Sequence, residues 1–153
     1  MTYSNDDKNV IFEESCINIF KHYTQTGKKF EKGGILLGRC TDENTVVIEK
    51  ASIPTLFDRS SRYNFQRDKR SAQIFIDYEF IASQGKTIYI GEWHTHPEDL
   101  PTPSTTDVQM IKRQFKKNKI NETFLFMVIV GRKKNYVGYY DGKKLIEFHL
   151  STE

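Results

Sequence analysis

Two histidines, His94 and His96, stand two residues apart, Pro97 follows at once, and a Ser104-x-x-Asp107 pair comes eight residues after the second imidazole. In a strand that spacing sends both imidazoles out of one face, while Trp93 and Thr95 leave the other. A tetrahedral zinc site for hydrolysis needs a third protein ligand and an open position for water, and two histidines with one carboxylate are a known combination. Asp107 is the candidate third ligand. Pro97, Pro101 and Pro103 make the intervening segment a stiff arch that returns the chain, so that the first turn of the next helix carries Asp107 toward the histidines. The Ser104-Asp107 pair also reads as a capping box, in which the acid satisfies donors at the helix start, and spacing leaves both readings open. Glu92, two before His94, shares its strand face and is the acid that spacing offers as a base. Glu98 and Asp99 read as solvated loop charges, His22 and His149 as ordinary surface or core histidines, and Trp93 as a core residue.

The elements around this cluster follow from periodicity and breakers. Val10, Ile11, Ile17, Phe20 and Tyr23 recur at helical spacing and predict a helix from Asn9 to about Thr26, stopped before Gly27. Gly33-Gly34 opens the apolar run Ile35 to Leu37, and Thr45 to Ala51 follows across a polar turn, which predicts a buried hairpin. Pro54 to Arg70 is a long polar loop whose alternating Tyr63, Phe65 and Arg67 predict a short edge strand. Ile74, Phe75, Tyr78 and Ile81 mark a second helix from Ser71 to Gln84. Thr87 to His96 reads as a strand, Ser104 starts a third helix with Val108, Ile111 and Phe115 on one side, and Thr123 to Gly131, Tyr136 to Tyr140 and Leu145 to Leu150 supply three closing strands. Asp141-Gly142 is a hairpin signal between the last two. Helices and strands interleave without a βαβαβ rhythm, so the expected fold is an α+β sandwich with helices against a mixed sheet.

The 153 residues suit one domain, expected over 1–153, and 37% apolar with 28% charged residues is a globular composition. The longest apolar run, Phe124 to Val130, is far short of the roughly 20 residues that span a bilayer. The polar start, Met1 to Asn9, is not a signal peptide. Cys16 and Cys40 form no disulfide framework and read as small core residues in a reducing, cytoplasmic compartment. A net charge of +3 does not by itself call for nucleic acid. Local basic groups do occur, at Lys112, Arg113, Lys116, Lys117 and Lys119, at Arg132 to Lys134, and at Arg59, Arg62, Arg67, Lys69 and Arg70. The first two are expected to be solvated helix and turn faces. Neither a nucleic-acid nor a membrane partner is expected.

Gly91-Glu92-Trp93-His94-Thr95-His96-Pro97 with Ser104 and Asp107 resembles the signature of the JAB/MPN (JAMM) zinc metalloproteases. That family's motif also has a glutamate upstream, just before an apolar glycine-bounded strand, and Glu31-Lys32-Gly33-Gly34-Ile35-Leu36-Leu37-Gly38 is similar to it. The resemblance runs from about residue 9 to residue 140 and implies a cytidine-deaminase-like JAB/MPN sandwich. It implies Zn2+ held by His94, His96 and Asp107, Glu31 as the general base, and Ser104 as the donor to the tetrahedral oxyanion. Glu92 then ranks behind Glu31 as the base and is expected to support a ligand or contact substrate; many members, chiefly eukaryotic ones, have an aromatic at this place, a departure that bears on the substrate side and not on zinc binding.

The wording around the histidines resembles a bacterial stand-alone branch encoded beside ubiquitin-like activating and conjugating enzymes, including those of CBASS anti-phage systems. The resemblance therefore implies an isopeptidase or peptidase, monomeric, that releases a protein with a ubiquitin-like C-terminal tail from the amine to which it is joined. A non-catalytic MPN scaffold and a JAB hydrolase of small amides are the competing implications. Asp58 to Arg70, with five basic residues against two acidic ones plus Tyr63 and Phe65, is expected to shape a groove for an acidic partner.

Overall fold

The computed structural model describes residues 1–117 and 122–151; Lys119, counted above in a basic group, lies outside the described residues. The first expected helix starts later than its periodicity suggests. Lys8–Phe12 is a strand, β2, that buries Val10 and Phe12 and leaves Ile11 exposed, a period of two rather than 3.6. It pairs antiparallel with β1, Thr2–Asn5, across a turn in which Asp6 takes φ 51°. Helix α1 is confined to Glu14–Tyr23 and buries Cys16, Ile17 and Phe20, one stripe of its surface.

The other elements fall close to expectation. The buried hairpin is β3, Gly33–Asp42, with β4, Thr45–Ala51. The arginine-rich loop carries a two-residue pair, β5 at Arg59–Ser60 and β6 at Phe65–Gln66. Helix α2 spans Lys69–Ala82 and starts two residues earlier than expected, because the Asp68 carboxylate caps it by accepting from the Ser71 backbone N–H. Strand β7 is Ile88–Thr95, helix α3 Thr105–Lys117, and β8, β9 and β10 are Leu125–Val130, Asn135–Tyr140 and Leu145–Leu150.

The class is α+β and the sheet is mixed, with β2–β4 and β7–β8 parallel and the other pairs antiparallel. It is a closed barrel, in the order β1-β10-β9-β8-β7-β3-β4-β2, where a sandwich of helices against the sheet was expected. The correction has one cause, the unread N-terminal hairpin, in which β1 takes the free edge of β10 and β2 that of β4. The barrel itself is left without a free edge.

Closure separates two apolar sets. Every strand of the barrel sends residues inward, among them Tyr3, Phe12, Leu36, Ile48, Ile90, Phe126, Val137 and Phe148, and α1 packs with them through Cys16, Ile17 and Phe20. Trp93 lies here against Phe20 and Tyr23, and its indole N–H donates to the Ser52 carbonyl, so the core expectation holds. The fully buried strand residues of the outward set lie in β3, β7, β8 and β9, including Ile35, Leu37, Tyr89, Leu125 and Ile129, and α2 and α3 cover them through Ala72 and Ile111. Burying a side chain of this size contributes roughly 1.5–3 kcal/mol. Helix α3 is thereby held on the outer face beside the end of β7. Cys16 is buried as expected, but Cys40 is exposed near the end of β3.

Candidate metal centre

A bulge in β7 decides where the histidines point. Leu37 pairs with Tyr89 and Leu36 with Gly91, so Ile90 has no partner of its own in β3 and the alternation shifts by one. Beyond it Trp93 faces the barrel interior, while Glu92 and His94 share the outer face with Tyr89, whose hydroxyl donates to Glu92. His96 follows the end of the strand and keeps its pairing, its N–H donating to the Val130 carbonyl.

Three side chains converge there. His94 Nε2 lies 3.0 Å from Asp107 Oδ1, His96 Nε2 lies 3.1 Å from Asp107 Oδ2, and the two Nε2 atoms are 3.2 Å apart. All three residues are almost wholly buried. Asp107 is delivered by the start of α3, where the two readings of Ser104-x-x-Asp107 coexist: the Ser104 N–H donates to Asp107 Oδ2 at 2.9 Å, and Ser104 Oγ accepts from the Asp107 N–H at 3.1 Å. The capping box fixes the carboxylate that completes the cluster. A Ser104 hydroxyl that accepts this bond still has its own proton to donate.

The donor set fits a tetrahedral metal. Ligands at about 2.0–2.1 Å from zinc span tetrahedron edges of about 3.3–3.4 Å, close to the separations found here. The electrostatics agree. Burial alone would raise the Asp107 carboxyl, but hydrogen bonds from the two imidazoles, the charge of His94 and the Ser104 N–H hold it well below the usual carboxylate range. Burial would lower His96, and Asp107, Glu98 and Glu31 together raise it instead. Lone pairs crowded this closely require a shared cation, either protons or a metal.

Glu98 is the exposed loop charge expected, but it also has a partner. Its Oε1 lies 2.8 Å from His96 Nδ1, the contact that fixes a ligating imidazole with Nε2 turned to the metal. Asp99 is paired as well, with Arg132 and Lys133. His22, in α1, and His149, in β10, are exposed and take no part.

Glu31 comes to the cluster through strand register. Gly33 pairs with His94, and the Thr95 N–H donates to the Lys32 carbonyl while Thr95 Oγ1 accepts from the Lys32 N–H. Glu31 comes just before this pairing, near enough to His96 and Asp107 for their charges to act on its carboxyl. Glycine is needed at 33, since a Cβ there would strike the Trp93 carbonyl and the Phe65 ring. Glu31 is 5% exposed, and burial pushes its carboxyl up to about 7, opposed by His96 and reinforced by Asp107 and Glu98.

Glu92 is excluded from this work by its partners. Arg67 Nε lies 2.7 and 3.0 Å from its two oxygens, and Tyr89 donates to it at 3.0 Å. Arg67 Nη2 also donates to Gln114 Oε1 on α3. Burial raises the Glu92 carboxyl and the Arg67 charge opposes that. Arg67 is accordingly a buried tie between the loop, β7 and α3 that also lines the cavity starting at Gly33, whereas Arg59 and Arg62 are exposed. Gln25, Ser61 and Thr95 also surround the site; no periodicity or motif singles them out.

A family model described as prokaryotic homologues of the JAB domain matches residues 14–140. A protein of Pseudomonas aeruginosa named CD-NTase/cGAS isopeptidase is 34% identical over 144 residues, 92% of this chain and 90% of that protein. A similarly named protein of Escherichia coli is 35% identical over 117 residues, 76% of this chain and 69% of its own length. A Sinorhizobium fredii protein named as a probable metalloprotease is 34% identical over 83 residues, 54% of this chain and 51% of that protein. Among solved structures, the solution structure of protein DSY2949 from Desulfitobacterium hafniense superposes with a TM-score of 0.61 at 20% identity, covering 90% of this chain and 88% of that one, a likeness of fold.

Proposed function

The chain belongs to the prokaryotic homologues of the JAB domain, and from that premise we propose that residues 1–153 form one zinc-dependent peptidase domain of the cytoplasm. It cleaves the bond between the C-terminal, ubiquitin-like tail of a protein and the amine of its conjugate. The observation that supports the proposal is the convergence of His94, His96 and Asp107, with the buried Glu31 two residues before the Gly33–His94 pair. A scaffold without catalysis has no need of that donor set.

Zinc held by His94 Nε2, His96 Nε2 and Asp107 would supply a Lewis acid that lowers the pKa of water toward roughly 7 and polarises the amide carbonyl. The protein's own groups do the rest. Glu31, buried and poised near neutrality, accepts the proton of the attacking water and delivers it to the departing amine nitrogen as the C–N bond breaks. The Ser104 hydroxyl donates to the carbonyl oxygen as its charge grows, and such a donor is worth about 2.7–4 kcal/mol in the transition state. Glu98 keeps the His96 ring turned, and α3 keeps Asp107 in place.

The substrate reading rests on a groove. A cavity of about 440 Å³ begins at Gly33 and Gly34, the residues paired with His94 and Trp93, and is walled by Ser52, Ile53, Arg67, Phe75 and Tyr78. Its apolar length suits an extended tail. The relatives' names make a CD-NTase conjugate the first substrate to try, in a CBASS-type anti-phage setting with activating and conjugating enzymes as neighbours. The decisive experiment incubates zinc-loaded protein with a folded ubiquitin-like or CD-NTase fusion and with amino-acid amides. Cleavage of the fusion at the tail's C-terminal residue is expected. Cleavage of the amides alone would move the reading to small substrates, and no cleavage of either would remove it.

A further inference from the structure

Gln25 lies between α1 and β3, outside the metal cluster, and is 1% exposed. Its carboxamide joins three separate segments. Nε2 donates to the Lys29 carbonyl at 2.8 Å and to the Arg62 carbonyl at 2.7 Å, and Oε1 accepts from Thr95 Oγ1 at 3.1 Å. Thr95 is the β7 residue between the two histidines, fully buried. The same Thr95 hydroxyl oxygen accepts from the Lys32 N–H at 3.0 Å, and the Thr95 N–H donates to the Lys32 carbonyl at 2.8 Å. Arg62 is next to Ser61, whose carbonyl accepts from the Glu31 N–H at 2.7 Å.

These bonds bracket one residue. The backbone of Glu31 is held on one side by the tip of the β5–β6 hairpin and on the other by β7 through Lys32. Gln25 is the side chain that fastens the hairpin tip to β7. The tip has little packing of its own to hold it, since Ser61, Arg62, Tyr63 and Asn64 are all exposed. Its place relative to the histidines therefore depends on buried polar bonds, which are directional where apolar packing is not.

We propose that Gln25 is a positioning residue for Glu31: by tying the hairpin tip to Thr95 it holds the Glu31 backbone, and with it the carboxylate, near His96. The proposal rests on the reading of Glu31 as the proton acceptor. Misplacing a reacting group by about 1 Å can cost on the order of 100-fold in rate, so the effect belongs to kcat and not to zinc binding.

The test compares the zinc-loaded full chain with Gln25→Met, which keeps the side chain's length and removes its hydrogen bonds, and with Thr95→Val and Thr95→Ser. Gln25→Met and Thr95→Val should lower kcat by about 10- to 100-fold with wild-type KM and zinc content, while Thr95→Ser, which keeps the hydroxyl, should retain wild-type kcat. Amide hydrogen exchange without substrate gives a second readout. In Gln25→Met the Glu31 and Lys32 amides should exchange faster, with β8 unchanged. Wild-type kcat or wild-type Glu31 exchange in Gln25→Met would overturn the proposal. Should that variant not fold, equal kcat in Thr95→Val and Thr95→Ser would overturn it. If the wild-type chain cleaves no conjugate, the reading of Glu31 fails, and the exchange rates alone decide whether Gln25 holds that backbone.

Discussion

Glu98 Oε1 and His96 Nδ1 are 2.8 Å apart, so the carboxylate accepts a hydrogen bond from Nδ1–H and His96 Nε2 is left facing Asp107 and His94. An exposed loop acid thus sets the tautomer of a buried ligand. Glu98→Gln should weaken zinc affinity by about 10- to 100-fold, measured by competition against a chelating dye, with little change in thermal stability of the metal-free protein. Equal zinc affinity in the variant would show that Glu98 has no hold on the ring.

Glu31 and Asp107 are both buried acids of the site, but they should fail differently. Asp107 bonds both imidazoles, so Asp107→Ala should lose bound zinc and turnover together. Glu31→Gln should keep zinc and lose about 10²- to 10⁴-fold in kcat, the range of general acid-base catalysis. Metal content by mass spectrometry beside single-turnover rates separates the two. A fully active Glu31→Gln would return the base to another group.

What could be read in the sequence was what is local. His94, His96, Ser104 and Asp107 lie within one strand, one proline arch and one helix start, and the period of two with a Ser-x-x-Asp cap is enough to bring them together. Glu31 is joined to them by a β3–β7 register that no window of sequence contains, and only the family resemblance named it. The same limit explains the misreadings. Arg67 looked like part of an exposed basic loop because its partner, Glu92, is 25 residues away in sequence. The strand at Lys8–Phe12 was lost because Val10, Ile11 and Ile17 also fit a helical spacing, and with it went the hairpin that closes the barrel.

The metal-free site should lose stability as pH rises through neutrality. The Glu31 carboxyl moves from an ordinary 4.5 up to about 7, so what its protonated form contributes is present below about pH 4.5 and lost as pH climbs through about 7. His96 is raised above 6.5 by Asp107 and Glu98 against burial, and its contribution likewise disappears on the alkaline side. Asp107 is lowered and stays ionised throughout this window. Zinc needs the imidazoles deprotonated. The rise in melting temperature on adding zinc at fixed free concentration should therefore grow between about pH 5.5 and 8. Scanning fluorimetry checks this, and a shift that is flat or largest in acid would contradict the assignment of these groups.

The arginines of the 58–70 segment should separate into two kinds. Arg67 and Glu92 have side chains 11% and 4% exposed and form a two-point pair that Tyr89 and Gln114 complete. Removing one partner strands the other charge in a dry place, so Arg67→Met should cost about 3–5 kcal/mol, read from urea unfolding. The double variant Arg67→Met with Glu92→Leu should recover part of that, because an apolar pair of similar volume no longer buries a lone charge. Arg59 and Arg62 are exposed, so reversing both to Glu should leave stability within about 0.5 kcal/mol and act only on substrate, raising KM for a conjugate with an acidic tail. Two outcomes would break this division: an Arg67→Met protein as stable as the wild type, or an Arg59→Glu, Arg62→Glu protein with unchanged KM for such a tail. The first would mean that the Arg67–Glu92 pair is not what joins the loop to β7 and α3. The second would mean that the tail is recognised by the apolar groove alone.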